Sequence, residues 1–217
     1  MNLLFDLDGT LTDPREGIVR CIQHALVTLR YQPPDASALE RFIGPPLAES
    51  FRALLGTSDE ARIRAAIAAY RVRFSTRGIF ENRLYPAVPS GLSSLRALAH
   101  NLWVVTSKPG VYARRIVEHF GLSPHFHAVY GSELSGERAN KAELLRYVLE
   151  QENLSRQDVL VIGDREHDVL GARANGLGSV AVTWGYGSTA ELESAKPEAI
   201  VSSMAELSEY IRCSTRR

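Results

Sequence analysis

Two aspartates near the start of the chain, Asp6 and Asp8, are spaced so that they could share a phosphoryl-transfer reaction. They stand in the run Phe5-Asp6-Leu7-Asp8-Gly9-Thr10. A carboxylate can attack phosphorus as a nucleophile and split one difficult step into two. A second carboxyl group two residues away could protonate the leaving-group oxygen and later activate water. The pair therefore predicts Asp6 as the nucleophile and Asp8 as the general acid and base.

Hydroxyl, ammonium and further carboxylate groups occur later, in the segments Thr106-Ser107-Lys108, Asn140-Lys141 and Gly163-Asp164-Arg165-Glu166-His167-Asp168. Several carboxylates cannot share a small site without a cation, because neighbouring like charges disfavour joint ionisation. Oxygen ligands with open positions favour Mg²⁺. A transferring phosphoryl group also needs positive charge and hydrogen-bond donors around its oxygens. Thr106, Ser107 and Lys141 are predicted to supply them, the first two just before a helix that Pro109 is expected to open.

Lysine is scarce in this chain. Of the 25 basic residues only three are lysine, namely Lys108, Lys141 and Lys196. Arginine and lysine are not interchangeable at a phosphate site, where lysine acts as a compact charge. The scarcity supports the phosphate-binding prediction for Lys141. Lys108 is predicted either at the rim of the cleft, with a role in substrate access, or simply exposed to solvent. Lys196 is predicted at the surface.

The second half of the chain alternates short apolar segments with helical patterns. The predicted strands are residues 2–5, 102–105, 128–130, 159–162, 179–182 and 199–201. The predicted helices are residues 90–99, 111–120, 141–151 and 167–175 between strands, and residues 204–212 after the last strand. Such βα alternation predicts an α/β fold with a doubly wound, mainly parallel sheet. Ligands bind outside the carboxyl ends of the strands of such sheets, which is where the polar segments fall.

A helical block interrupts this pattern directly after the first strand. Apolar residues recur at helical spacing on either side of Gly44-Pro45-Pro46, and Ser58 is a predicted N-cap. We therefore predict an α/β catalytic core of residues 1–14 and 83–217 and an all-helical cap of residues 15–82 over the strand ends. Arg41 and Gly44 are the predicted substrate-access residues of the cap.

Composition narrows the classes of function. The formal net charge is zero and no basic tract stands out, which argues against a nucleic acid polymer as partner. No segment approaches the ~20 apolar residues of a membrane-spanning helix. Two cysteines, far apart in sequence, do not suggest a disulfide framework, which favours a reducing, cytoplasmic location. A small-molecule substrate and a monomer or homodimer are expected.

These motifs together resemble the haloacid dehalogenase superfamily. Its phosphatases carry a DxDxT strand end, a Thr or Ser strand end, a lysine and a GDxxxD strand end, and all four occur here in order. The resemblance covers essentially the whole chain. It implies Mg²⁺ as cofactor, with Asp6, the backbone carbonyl of Asp8, and Asp164 as ligands. It places Asp168 behind Asp164, on the metal through water or just outside its ligands, and Thr106 and Lys141 on the phosphoryl group.

A narrower resemblance concerns the phosphoglycolate-phosphatase relatives, a subgroup that includes bacterial 5′-nucleotidases. Tyr130-Gly131-Ser132-Glu133-Leu134, Asn140-Lys141-Ala142-Glu143 and Trp184-Gly185-Tyr186-Gly187-Ser188 are similar to segments of that subgroup. The implied substrate is a small phosphorylated metabolite, with a 5′-nucleotide favoured over phosphoglycolate.

Other functions make different demands on the sequence. A phosphonate-cleaving relative would need a Schiff-base lysine in the cap, and residues 15–82 contain no lysine. A hydrolytic dehalogenase would not need Asp8 and Thr10 together. A sugar phosphomutase would use the same core and remains an alternative. A phospho-receiver signalling domain is a remote one, because it would be about half as long and would lack DxDxT.

Overall fold

The computed structural model describes residues 1–214, which form eight strands and ten α-helices. The strands are β1 (Asn2–Phe5), β2 (Thr12–Asp13), β3 (Arg83–Leu84), β4 (Asn101–Pro109), β5 (Ala128–Ser132), β6 (Val159–Gly163), β7 (Gly178–Val182) and β8 (Ala199–Val201). The α-helices are α1 (Arg15–Thr28), α2 (Ala36–Leu39), α3 (Leu47–Leu55), α4 (Glu60–Arg73), α5 (Val88–Ala97), α6 (Gly110–His119), α7 (Lys141–Gln151), α8 (Glu166–Ala174), α9 (Thr189–Ala195) and α10 (Met204–Ser214). Short helical turns of other types cover Glu40–Phe42, Phe74–Gly78, Ser123–His125 and Arg156–Asp158.

Six strands form one parallel sheet in the order β5-β4-β1-β6-β7-β8. The strand β1 lies at its centre, with Leu4 level with Trp103 of β4 and Val161 of β6. Leu3, Leu4 and Phe5 are fully buried, as a continuous apolar run in a parallel sheet requires. The predicted fold class, an α/β fold with a doubly wound parallel sheet, is confirmed.

Helix α7 packs on one face of this sheet. Its residues Leu144 and Val148 share a buried cluster with Leu4, Trp103 and Val161, all of which point to the same face. Successive residues of a strand point to opposite faces of the sheet, so every second residue lies on the face that α7 covers. The packing fixes the start of α7, where Lys141 lies, relative to the carboxyl ends of β1 and β4.

The chain divides into two compact units, one of residues Met1–Thr12 together with the chain from Leu84 onward, and the other of Asp13–Arg83. The predicted boundaries lie within two residues of these. Two further short strands, β2 and β3, form a separate two-stranded sheet. That the second unit acts as a cap stays a prediction.

The second unit contains α1 to α4 and is held by aromatic packing within itself. Tyr70 of α4 contacts Phe51 edge-on at 6.2 Å and stacks on Phe74 at 5.3 Å between ring centroids. The predicted N-cap at Ser58 is wrong by one residue. Helix α4 begins at Glu60, and the Asp59 carboxylate accepts hydrogen bonds from the first-turn backbone N–H groups.

No helix within residues 1–214 is both long and apolar enough to cross a membrane.

Candidate active site

Asp6 and Asp164 follow neighbouring strands of the sheet. Asp6 comes directly after β1, and its N–H donates to the Ile162 carbonyl at 2.8 Å, which continues the pairing with β6. Asp164 comes directly after β6. Parallel strands end at the same edge of a sheet, so both carboxylates emerge side by side. Both are buried, with 7% of Asp6 and none of Asp164 exposed.

Lys141 links Asp6 to Asp168 inside the core unit. Its Nζ lies 2.8 Å from Asp6 Oδ1, 2.7 Å from Asp168 Oδ1 and 2.9 Å from the Val105 carbonyl oxygen. Burial raises the pKa of Asp6 to about 6, although the nearby Lys141 charge opposes the rise. Burial also disfavours the charged lysine, but Asp168 and Asp6 outweigh it and raise the pKa of Lys141. The lysine is therefore a buried cation between two carboxylates.

The start of α7 delivers Lys141 to this position. The Asn140 side chain caps the helix by accepting from the N–H groups of Ala142 and Glu143, as predicted. Gly171 of α8 lets the lysine stem pass, because a Cβ there would lie 2.9 Å from Lys141 Cγ. The cap and the glycine together set the direction of the side chain.

Both carboxylate oxygens of Asp164 accept hydrogen bonds. Thr10 Oγ1 donates to Oδ1 at 3.2 Å, and Tyr186 N donates to Oδ2 at 2.8 Å. Burial, followed by the charges of Asp6 and Asp168, raises the pKa of Asp164 well above its usual range. Gly9 has φ +88°, and a Cβ there would lie 2.2 Å from Asp164 Oδ2. Only glycine fits this turn, since it tolerates positive φ and leaves room for the carboxylate.

Asp8 pairs with Lys108. Lys108 Nζ lies 2.7 Å from Asp8 Oδ2, and the two side chains are 6% and 9% exposed. The other oxygen, Asp8 Oδ1, is buried and has no hydrogen-bond partner within residues 1–214. Lys108 is thus in direct contact with the candidate acid and base, which the sequence prediction of a rim position did not anticipate.

The end of β4 carries the predicted phosphate-binding hydroxyls. Thr106 is 2% exposed, and its Oγ1 accepts from Lys108 N at 3.3 Å. The Ser107 carbonyl accepts from Ser132 Oγ at 2.8 Å. The expected helix start is wrong by one residue. Pro109 is the N-cap with extended backbone, still paired with β5, and α6 begins at Gly110.

Three of the buried carboxylates could hold a metal ion. Asp6, Asp164 and Asp168 each offer an oxygen, and these oxygens lie within 4.8 Å of one another. Asp168 Oδ2 also accepts from Arg165 N at 3.2 Å. An all-oxygen donor set suits a hard divalent cation such as Mg²⁺. Burial raises the pKa of both Asp6 and Asp164, and the neighbouring Asp168 charge adds to the rise in each. The residues present therefore fit a divalent cation.

Two predicted residues belong to the other compact unit. Arg41 lies in the Glu40–Phe42 turn, with its guanidinium 4.9 Å from the centre of the Phe42 ring. Gly44 has φ +105°, a conformation that favours glycine. Their roles in substrate access stay predictions.

Sequence reasoning missed three contacts around Asp164. The sequence identifies Thr10 only as part of the motif, and Tyr186 and Trp184 only as part of a family-like run. The Trp184 indole Nε1–H donates to the Thr10 carbonyl at 3.0 Å. The run Trp184-Gly185-Tyr186-Gly187, with two glycines shortly after a strand, is the available signal.

The chain is similar to several known proteins. The chain is 48% identical over 210 residues to a 5′-nucleotidase of Pseudomonas aeruginosa, which covers 97% of this chain and 95% of that protein. It is 41% identical over 186 residues to the tyrosine-protein kinase PtkA of Mycobacterium tuberculosis, covering 85% of this chain and 62% of that longer protein. The crystal structure of a predicted phosphatase from Clostridium acetobutylicum matches with a TM-score of 0.94 and 43% identity, covering 97% of both chains.

The family assignment follows from a match along most of the sequence. Residues 3–182 match the family model described as haloacid dehalogenase-like hydrolase. The relatives above are similar over nearly the same span. The predictions of the family and of a phosphatase-type enzyme within it are confirmed, and the chain belongs to the haloacid dehalogenase-like hydrolase family.

Proposed function

We propose that this hydrolase is a magnesium-dependent phosphomonoesterase that acts on a small phosphorylated metabolite, a 5′-nucleotide in preference to phosphoglycolate. The observation that carries the proposal is the cluster of three buried carboxylates, Asp6, Asp164 and Asp168, whose oxygens lie within 4.8 Å of one another. The similarity to a protein named 5′-nucleotidase supports the choice of substrate.

The first step forms a covalent bond to Asp6. A carboxylate oxygen of Asp6 attacks phosphorus, the ester P–O bond breaks, and Asp8 gives its proton to the departing alkoxide oxygen. The products of this step are an aspartyl phosphate on Asp6 and the free alcohol. Lys141 orients Asp6 through the 2.8 Å contact with Oδ1, so the nucleophile needs no rearrangement before attack.

The second step returns the enzyme to its starting state. Asp8, now a carboxylate, takes a proton from water as the water oxygen attacks phosphorus. The P–O bond to Asp6 then breaks, which releases inorganic phosphate and restores both aspartates. Thr106 and Lys141 would donate hydrogen bonds to the phosphoryl oxygens.

Asp6, Asp164 and Asp168, together with the backbone carbonyl of Asp8, would hold the magnesium ion. When bound, it neutralises negative charge on the carboxylates and on the phosphoryl group. Thr10 and Tyr186 N hold Asp164 in place for this purpose through its two carboxylate oxygens.

Phosphate release from a substrate panel tests the proposal. The panel contains 5′- and 3′-nucleotides, phosphoglycolate and hexose phosphates, each with Mg²⁺ and with EDTA. Asp6→Asn should lower kcat at least about 10³-fold, because the amide is not a nucleophile. Asp158→Asn is the matched control, since Asp158 is exposed and lies at the other end of β6. Equal rates for Asp6→Asn and the unsubstituted protein would contradict the mechanism.

The phosphoryl acceptor is a separate part of the test. The similarity to a protein named tyrosine-protein kinase suggests an alternative acceptor. In that case the phosphoryl group would pass from Asp6 to a tyrosine hydroxyl instead of to water. A sugar phosphomutase would return the group to a sugar and depend on a bisphosphate. We expect inorganic phosphate to account for all of the substrate consumed. Phosphate recovered on an added tyrosine peptide or on the sugar would contradict hydrolysis as the main reaction.

A further inference from the structure

Residues 184–187 follow β7 after Thr183, and among them only Tyr186 N has been given a role above. Tyr186 N donates to Asp164 Oδ2 at 2.8 Å. The Trp184 indole Nε1–H donates to the carbonyl of Thr10 at 3.0 Å, in the turn that carries Asp6 and Asp8. One short segment therefore touches both the end of β6 and the end of β1.

The backbone of this segment lies unusually close to Asp164. A Cβ on Gly185 would stand 2.3 Å from Asp164 Oδ2 and 2.4 Å from the Gly9 carbonyl oxygen. A Cβ on Gly187 would stand 2.1 Å from the Asp164 carbonyl oxygen. Real Cβ atoms do not approach other atoms so closely, so neither position has room for a side chain. The two glycines let the main chain itself close against the carboxylate.

The hydrogen bonds form a closed path. Trp184 holds the main chain of Thr10, Thr10 Oγ1 donates to Asp164 Oδ1, and Tyr186 N donates to Asp164 Oδ2. Each end of the path returns to the same four-residue segment. Both oxygens of Asp164 are thereby oriented by neutral donors, and the segment connects the Asp164 carboxylate to the Asp6–Thr10 turn in addition to the pairing of β1 with β6.

We propose that residues 184–187 are a positioning element of the metal site, which holds the Asp164 carboxylate and the Asp6–Thr10 turn together before a divalent cation arrives. The inference rests on the proposed metal site and adds a fifth segment to the four motifs of the sequence. Trp184 is a positioning residue, because its indole acts through the Thr10 carbonyl.

The physical need for such an element is clear from the charges. Asp6, Asp164 and Asp168 are buried, and Lys141 contacts only Asp6 and Asp168, so repulsion favours moving the three carboxylates apart when no cation is bound. Mg²⁺ requires near-ideal octahedral geometry. Ligands that must first be ordered contribute less binding free energy, because the cost of ordering them is subtracted. Ligands held in place in advance bind it more tightly, because the ordering has already been achieved in folding.

The chain offers a matched pair of variants for the test. It has two tryptophans, Trp103 and Trp184. Trp103 is also on the core unit and is 4% exposed, but its Nε1 has no hydrogen-bond partner in the described part of the chain. Trp184→Phe removes the indole donor to Thr10, and Trp103→Phe removes a similar ring volume without removing a hydrogen bond.

The measurement is the dissociation constant for Mg²⁺ alone, by isothermal titration calorimetry on folded protein without substrate. Trp184→Phe should weaken Mg²⁺ binding about tenfold, the lower end of the range for groups that orient metal ligands. Trp103→Phe should leave the constant unchanged. It also leaves Trp184 as the sole tryptophan, so its fluorescence should respond to Mg²⁺. Gly185→Ala should weaken binding further, because its Cβ would displace the Asp164 carboxylate.

The outcomes separate three explanations. If Trp184 only packs the loop, Trp184→Phe will lower the unfolding midpoint in EDTA while the Mg²⁺ dissociation constant stays the same, which would overturn this inference alone. Equal weakening by both tryptophan variants would also overturn it. Failure of the unsubstituted protein to bind Mg²⁺ would contradict both the proposed function and the inference.

Discussion

At the scale of single residues, each buried charge in the core unit has a specific partner. Lys141 lies between Asp6 and Asp168, and Lys108 contacts Asp8. Lysine suits these positions because its ammonium is a compact charge on a flexible stem, whereas a guanidinium is larger and planar. This accounts for two lysines in a chain whose basic residues are otherwise almost all arginine.

Substitution of Lys108 tests whether it orients Asp8 or binds substrate. Lys108→Met keeps most of the stem but removes the ammonium 2.7 Å from Asp8 Oδ2. We expect kcat to fall about tenfold and KM to change little. The fall is a part of the roughly 10²–10⁴-fold rate enhancement that general acid–base catalysis contributes. The measurement is steady-state kinetics on the best substrate of the panel.

Lys196→Met is the control for Lys108→Met, because Lys196 is exposed and lies after α9. We expect it to leave both constants unchanged. A large rise in KM with unchanged kcat in Lys108→Met would instead support the substrate-access role predicted from the sequence, and would contradict an orienting role for this lysine.

At the scale of elements, the ends of strands and the starts of helices place the chemistry. The apolar runs that form β1 and β6 are buried, so the first polar residue after each marks the edge of the sheet. Helix α7 was predicted with the observed bounds, because an N-cap and an apolar stripe are both local signals. The start of α4 was missed by one residue, since Ser58 and Asp59 are both good N-caps and the sequence does not rank them.

Removal of the Asn140 cap tests how the start of α7 contributes to stability. Asn140→Ala loses the acceptor for Ala142 N and Glu143 N. We expect the free energy of unfolding to fall by about 1 kcal/mol, the usual effect of losing an N-cap. Urea unfolding followed by circular dichroism measures it. Asn140→Asp retains the acceptor and should lose much less, so equal losses in the two variants would argue against capping.

At the scale of the whole molecule, the chain folds as two units, and the second contains a partly buried group of ion pairs centred on Glu81. Arg73 forms a two-point contact with Glu81, and Arg20 also pairs with Glu81. The side chains of Arg73 and Glu81 are 18% and 21% exposed, so solvent screens this pair less than the other ion pairs of the unit. Hydrogen bonds from Arg73 lower the pKa of Glu81 despite partial burial.

The lowered pKa of Glu81 predicts how stability depends on pH. The ionised Glu81 carboxylate is stabilised in the folded state relative to the unfolded state. Its contribution to the free energy of unfolding is therefore fully present above the unfolded pKa of about 4.3. The contribution is lost as the pH falls through the lower folded pKa. Glu81→Gln should therefore lower the free energy of unfolding by about 1–2 kcal/mol at pH 7, and the difference should shrink below about pH 4.

Urea unfolding between pH 3 and pH 7 checks this dependence. Glu60→Gln is the control, because Glu60 pairs with Arg52 where both side chains are exposed, and such pairs contribute about 0–1 kcal/mol. A difference for Glu81→Gln that stays constant over the whole pH range would show that the loss comes from packing and not from the charge.

The sequence alone determined the order of motifs, the βα alternation and the identities of Asp6, Asp164 and Lys141 as neighbours. These follow from local patterns, because a buried strand followed by a polar residue is visible within about six positions. Only the tertiary structure decided which group each charge contacts. Thr10 and Trp184 are 174 positions apart, and their hydrogen bond depends on β1, β6 and β7 lying side by side. The pairing of Lys108 with Asp8 is of the same kind, since the contacts of a long flexible side chain are set by packing and not by its neighbours in sequence.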